Sequence, residues 1–181
     1  MKILLHICCA PCLIHPLQEL IKKREDSITG FFYNPNIHPF TEMKKRRQAL
    51  VDYTLKEKLE VVFDEYDMEN FFENIGNNFT APSRCRICWE MRLERCAQYA
   101  KKNGFDAFAT TLLVSPYQNR QEIVRIGSAL ADKFGIRFLD SDWRGGFRPA
   151  QQSAREQNMY RQKYCGCIFS EKERFTREKS L

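Results

Sequence analysis

With 181 residues the chain is the size of one domain, which buries roughly 70% of its unfolded surface and needs no covalent staples for a core. Hydrophobic residues at 43% and charged residues at 29% exclude a disordered chain, and no run approaches the ~20 apolar residues of a membrane span. A net charge of +6 suits a phosphate-bearing partner without requiring one.

Strand and helix patterns alternate along the chain. "KILLHI" reads as a buried strand. "PCLIHPLQELIKKRED" follows as a helix with Pro11 in its first turn, starting late or kinked at Pro16. "ITGFFYN" is a second strand and "PNIHPF" a loop held by two prolines. "TEMKKRRQALVDYTLKEK" is a helix that Thr41 is expected to cap, and "EVVFDEY" a third strand. "DMENFFENIGN" is a short helix. "APSRCRICWEMRLERCAQYAKKNG" is a long one, with Ser83 as its cap and Gly104 as its stop. "FDAFATTLL" reads as a strand, "QEIVRIGSALADKFG" as a helix ending at Gly135, and "IRFLD" as a fifth strand. After the "SDWRGGFRP" loop, "AQQSAREQNMYRQ" and "FSEKERFTREKS" are helical, so residues 149–181 form a helical segment.

Strands separated by helices imply an α/β fold with a parallel sheet, whose sites form beyond the carboxyl ends of the strands. Cys8 and Cys9, "NPNIHP", "TTLLVSPYQ" and "DSDWRGG" all fall at that edge.

The eight cysteines are paired closely in sequence, as Cys8-Cys9, Cys85-x-x-Cys88 and Cys165-Gly-Cys167. A disulfide scaffold disperses its half-cystines, so this spacing points to metal or redox chemistry. The start "MKILLHICC" is too short for a leader's apolar core, and we expect a soluble, cytoplasmic protein. Cys85 and Cys88 at a helix start place two sulfurs where backbone N–H groups favour thiolates. Cys8 and Cys9 can serve the same centre if the chain turns before Pro11. Four thiolates suffice for zinc or for an iron–sulfur cluster, and adjacent cysteines suit the corners of a cluster better. Cys12 is an alternative ligand or a ligand to a second metal. Cys165 and Cys167 form either a strained, easily reduced disulfide bent at Gly166 or two further metal ligands. Cys96 and His6 read as core residues, His15 as helix surface, and His38 as a candidate for a substrate or metal role.

Lys44, Lys45, Arg46 and Arg47 form a basic run, with a solvated helix face as the plain alternative. Arg144, Arg148, Arg161 and Lys163 lie near the inferred edge among Trp143, Phe147, Tyr160 and Tyr164. Arginine for phosphate and aromatics for stacking suit a splayed single-stranded nucleotide.

The blocks "LLHICCAPC", "NPNIHP", "RCRICWEMRL", "TTLLVSPYQ", "DWRGG" and "YRQKYCGCIFS", in that order, resemble the epoxyqueuosine reductase QueH family over nearly the whole chain. The family is similar to nucleotide-binding α/β folds of the HUP type, a three-layer, Rossmann-like arrangement, here as a single domain spanning 1–181. The resemblance implies reductive removal of the epoxide oxygen of epoxyqueuosine at the wobble position of a tRNA, giving queuosine. It implies a 4Fe–4S cluster, taken here on Cys8, Cys9, Cys85 and Cys88, with room for a second iron and no cobalamin. "HICCAPC" occupies the phosphate-loop position without its glycines and serine, so no ATP use is expected.

Removing the oxygen takes two electrons and two protons. We expect the Cys165/Cys167 dithiol to store electron pairs or attack the epoxide directly, with an external electron donor. Asp142, Asp140, Tyr117 and His38 are the candidate acids, and Asp64 and Glu65 candidate metal ligands with a solvated turn as the alternative. Rival classes are a zinc-stabilised RNA-binding module, a metal-free disulfide oxidoreductase, and a sulfur-inserting tRNA enzyme that would need ATP.

Overall fold

The computed structural model describes residues 1–23 and 27–176. Its centre is β1 (Lys2–His6), buried from Ile3 onward. An unbroken apolar run suits a strand covered on both faces. On one side β1 pairs in parallel with β2 (Ser27–Phe32), which pairs with β3 (Val61–Phe63). On the other side it pairs with β4 (Ala107–Thr110), which pairs with β5 (Arg137–Phe138). The order is β3-β2-β1-β4-β5, all parallel, with Leu5 set between Gly30 and Ala109. The chain therefore builds outward from β1 in one direction, then returns to build in the other. The reversal opens a crevice at the carboxyl ends of β1 and β4.

Among the described residues seven helices flank the sheet. α1 (Ala10–Lys22) packs against α2 (Phe40–Glu57) and α6 (Phe147–Glu156). α4 (Ser83–Lys102) packs against α3 (Met68–Ile75) and α5 (Arg120–Phe134), and α7 (Ile168–Thr176) follows the Cys-Gly-Cys loop. The parallel α/β sheet expected from the alternation of elements, and the three-layer, Rossmann-like class implied by the resemblance, are the ones observed. Among the described residues no helix is long and apolar enough to cross a membrane.

The differences from the sequence reading are local. α1 runs from Ala10 through Pro16, which deprives the Cys12 carbonyl of its usual helical donor but does not end the helix. The expected continuation to Asp26, and that of α7 beyond Thr176, lie outside the described residues. Neither Thr41 nor Ser83 caps its helix, because each chain enters the helix from the preceding proline, at Pro39 and Pro82. Asp67 and Asn119 do cap, accepting from the N–H groups of Asn70 and Glu122. The strand expected to continue to Leu113 stops at Thr110, whose hydroxyl accepts from Leu112 N–H and bends the chain into a 3-10 turn (Thr111–Val114). His15, expected on the surface, lies against the Gly146 backbone. A Cβ at Gly146 would fall 2.0 Å from its ring, so only glycine fits there.

Gly127, inside α5, faces the Phe138 ring of β5, which packs on Phe108 with centroids 5.0 Å apart. A Cβ there would stand 2.4 Å from Phe138 Cε1. Alanine gains about 1 kcal/mol of helix propensity over glycine, whereas overpacking a core costs about 1–3 kcal/mol. The clash should win. Gly127→Ala is expected to lower the urea midpoint at unchanged m-value, and a raised midpoint would mean that the α5–β5 contact is slack.

Candidate active site

The crevice begins where β1 ends. Between His6 and α1 the chain turns, and Cys9 sits extended at φ −170°, ψ 162° just before the helix. Thr111, from the turn after β4, fixes this junction twice. Its hydroxyl oxygen accepts from Cys8 N–H at 3.0 Å and donates to Cys8 Sγ at 3.2 Å. Neighbouring side chains on a straight strand point to opposite faces. Here the turn brings the Cys8 and Cys9 sulfurs to 3.8 Å, and Cys12, one turn into α1, joins them. All three sulfurs lie within 4.8 Å of one another. Hydrogen bonds from Cys12 and Cys9 hold Cys8 well below the ordinary thiol range against its burial. Burial pushes the Cys9 thiol up, and the bonds to Cys8 and Cys9, with burial, push Cys12 up.

A second set of sulfurs surrounds the start of α4. Cys88 is buried with Phe71, Ile75 and Cys167, and burial pushes its thiol up to about 12. Cys85, half-buried on the same face, is raised by burial and then by the nearby charge of Cys165. Cys165 is the exposed member, and its sulfur accepts from Gln118 Nε2 at 3.6 Å. Trp89 Nε1 donates to Gln118 Oε1 at 2.8 Å and so orients that amide. All eight cysteines are free thiols. Among the described residues, Cys8, Cys9 and Cys12 form the group close enough to hold a metal by itself, and Cys85 and Cys88 fall outside that trio.

Arg92 links the two sets. It is 2% exposed, one turn beyond Cys88, with Nη1 3.8 Å from Cys88 Sγ. Its Nη2 donates to Asn34 Oδ1 at 2.6 Å, and Asn34 Nδ2 donates to the Ile7 carbonyl at 2.9 Å. Its charge favours the thiolate at Cys8, Cys88 and Cys165. A thiol-rich donor set facing a buried cation fits a sulfur-ligated metal centre, where ligands bind as thiolates.

The Cys165-Gly166-Cys167 loop is held by Arg46. That side chain is buried, bonded to Glu42 at 2.8 Å, and donates to the carbonyls of Cys165 and Tyr164 at 2.9 and 3.1 Å. Tyr160 donates to Glu42, and Tyr164 donates to the His38 carbonyl. The His38 N–H in turn reaches Gly166 O at 2.9 Å. Gly166 has φ +151° and a Cβ there would come 2.8 Å from Asn36 Nδ2, so the residue must be glycine. Gln162, in the same segment, donates to Cys9 Sγ at 2.8 Å and joins this loop to the first sulfur set.

The other residues singled out from the sequence scatter. The His38 ring lies against Phe71 and stacks on Phe72, and burial lowers its pKa to about 4, so it is neutral and meets the loop through its backbone. Asp142 is bonded to Arg144, which holds its pKa at about 2 and leaves it no proton to give near neutrality. Asp64 is occupied by Arg95 at 2.6 Å. His6 and Cys96 are core, the former neutral at a pKa of about 3 through burial. Lys44 and Arg47 lie over Phe40 and Phe63, and Lys45 borders a separate recess on α2.

Cys8, Cys12, Arg92 and Cys165 open into a cavity of about 1070 Å³. Arg148, Arg161 and Lys163, the cations read near this edge of the sheet, border it together with Arg155 and Arg174, and no carboxylate does among the described residues. Tyr117, 83% exposed, stands edge-on to Phe147 at the cavity.

Arg46→Lys keeps a cation for Glu42 but loses the fork that spans two carbonyls. Hydrogen bonds to charged groups contribute about 1.5–3 kcal/mol, so exchange of the His38 and Gly166 amides should accelerate at least tenfold while β1 is unaffected. Unchanged exchange at both amides would remove Arg46 as the loop's anchor.

Residues 3–173 match the family model described as epoxyqueuosine reductase QueH. Curated relatives of that name include the protein from Dehalococcoides mccartyi, 36% identical over 99% of this chain and 97% of its own. Those from Thermotoga maritima and Acinetobacter baylyi are 37% and 35% identical, covering 95% and 93% of this chain and 91% and 80% of their own. On this evidence the chain belongs to the epoxyqueuosine reductase QueH family.

Proposed function

We propose that this chain reduces epoxyqueuosine, at the wobble position of a tRNA, to queuosine. The observation that carries the reading is one basic, aromatic-rimmed cavity at the sheet's reversal into which Cys8, Cys12 and Cys165 all open. Its volume exceeds the ~300–1,000 Å³ of small-molecule pockets and suits a nucleotide with a bulky appendage. Arg148, Arg155, Arg161, Lys163 and Arg174 are placed for phosphates, and Tyr117 and Phe147 for stacking on a splayed base. With Arg46 committed to the Cys-Gly-Cys loop and Arg144 to Asp142, the cavity's own cations are the better candidates for tRNA contacts. A tRNA-modifying role suits a cytoplasmic protein.

The cofactor in this reading is a 4Fe–4S cluster on Cys8, Cys9, Cys85 and Cys88, with Cys12 replacing one of them or holding a second iron. When bound, it supplies electrons singly. The protein's own dithiol balances the reaction. Oxidation of Cys165 and Cys167 to a disulfide releases two electrons and two protons, which with the epoxide oxygen make one water and leave an alkene. An external reductant must then restore the dithiol. The Arg46 clamp and the Gln118 amide keep Cys165 turned toward the cavity. Of the proton donors considered, Tyr117 is the one exposed in the cavity, whereas Asp142 is ionised and the His38 ring is turned into an aromatic cluster.

One distance favours a second reading, a zinc-stabilised RNA-binding module. Sulfurs bound at about 2.3 Å around a tetrahedral ion stand about 3.8 Å apart. The Cys8 and Cys9 sulfurs have that separation.

Cys88→Ser should bleach the visible absorption of anaerobically prepared protein and abolish turnover. Cys165→Ser should keep the colour and lose turnover by at least ~10²-fold, as expected when a covalent or proton-transferring group is removed. A Cys165→Ser protein as active as wild type with the same reductant would remove the dithiol. A colourless wild type would favour the zinc module. For the tRNA surface, Arg161→Ala/Lys163→Ala should flatten the salt dependence of tRNA binding by about 1.4 in log K against log salt, roughly 0.7 per lost single-strand phosphate contact. An unchanged slope would place the tRNA elsewhere.

A further inference from the structure

A guanidinium withdrawn from water needs an anion, because the desolvation of a lone buried charge is not recovered otherwise. Buried arginines in this chain show the usual solution. Arg46 has Glu42, and Arg84 has Glu173. Arg92 is as buried as either, yet among the described residues no carboxylate pairs with it. Its Nη2 is held by a neutral amide, its Nε has no hydrogen-bond partner, and its Nη1 points at the sulfur of Cys88. Asn34, which fixes it, is itself fixed to the Ile7 carbonyl one residue before Cys8. Arg92 therefore sits on a rigid mount at the cavity wall between both cysteine sets, and among the described residues lining that cavity no carboxylate competes with sulfur for its charge.

We propose that Arg92 is the built-in counter-charge of the cysteine-held metal centre. It offsets the negative charge that metal-bound thiolates bring into the buried crevice and makes the centre easier to reduce. The proposal rests on the iron–sulfur reading above. A fixed cation stabilises the more negative, reduced state more than the oxidised one, so removing it must lower the midpoint potential. Arginine suits the position better than lysine, because its fork reaches Asn34 and Cys88 at once. The residue acts on the centre through its field and is a positioning and tuning group; it supplies neither electrons nor a ligand atom.

The test is a spectroscopic redox titration of anaerobically loaded wild type, Arg92→Lys and Arg92→Met, with iron and sulfide measured on each. Arg92→Met should hold its iron but titrate lower, with the ratio of reduced to oxidised centre falling at least tenfold at a fixed solution potential. For a one-electron couple that is a shift of about 59 mV or more. Arg92→Lys should stay within about threefold of wild type. A wild type that loads while Arg92→Met titrates at the same potential overturns the proposal alone. A wild type that takes up no iron overturns it together with the reading it rests on. If Arg92→Met holds no iron, Arg92→Lys decides. Iron retained by the lysine variant upholds the charge role, and iron lost from both variants makes Arg92 a packing residue and overturns the proposal.

Discussion

The site depends on the reversal of the parallel sheet between β1 and β4. That reversal sets the end of β1 beside the turn after β4, and the two Thr111–Cys8 hydrogen bonds lock the contact. Without the lock, the β1–α1 junction has no reason to turn so sharply that Cys8, Cys9 and Cys12 face one another. The Thr110 hydroxyl contributes from the same strand end, because by ending β4 early it places Thr111 in reach. A hydrogen-bonded turn thus converts two neighbouring cysteines, which a strand would separate, into one binding group.

Charge then organises what topology has gathered. Three arginines, each 2% exposed, do three different things. Arg84 grips Glu173 through both carboxylate oxygens at 3.0 Å and lies over Phe169, tying α7 to α4. Arg46 holds the carbonyls of Tyr164 and Cys165 from α2. The Cys-Gly-Cys loop is consequently anchored on both sides, and its exposed sulfur, Cys165, lines the cavity. Arg92 meets sulfur where the others meet carboxylates. The rim follows the same logic, with cations around an opening that no described carboxylate borders.

Much of this was legible in the sequence, and the remainder was not for definite physical reasons. The apolar run of β1, the alternation of elements and the glycines after α4 and α5 are local signals, and they led to the observed fold class. Strand-end reasoning set Cys8 and Cys9 at the carboxyl edge of the sheet, where β1 ends and α1 begins. Long-range partnerships left no such mark. Arg46 looked like one cation in a solvated run, and only its depth beneath the Cys-Gly-Cys loop reveals it as an anchor. Arg92 lies four residues after Cys88, a spacing that puts it one turn above that sulfur, but its lack of a carboxylate is a property of the folded chain. Asp142 is a reasonable acid in sequence and a poor one beside Arg144. Gln118 and Gln162 carry no chemistry in isolation and matter because each amide meets a sulfur.

In the proposed function, sulfurs from the β1–α1 junction and from α4 hold one iron–sulfur core beside the dithiol. Iron, sulfide and zinc content of anaerobically purified protein tests it most directly. At least about four irons and about four sulfides per chain are expected, with a broad brown visible absorption and little zinc. One zinc per chain in a colourless protein without sulfide would contradict it.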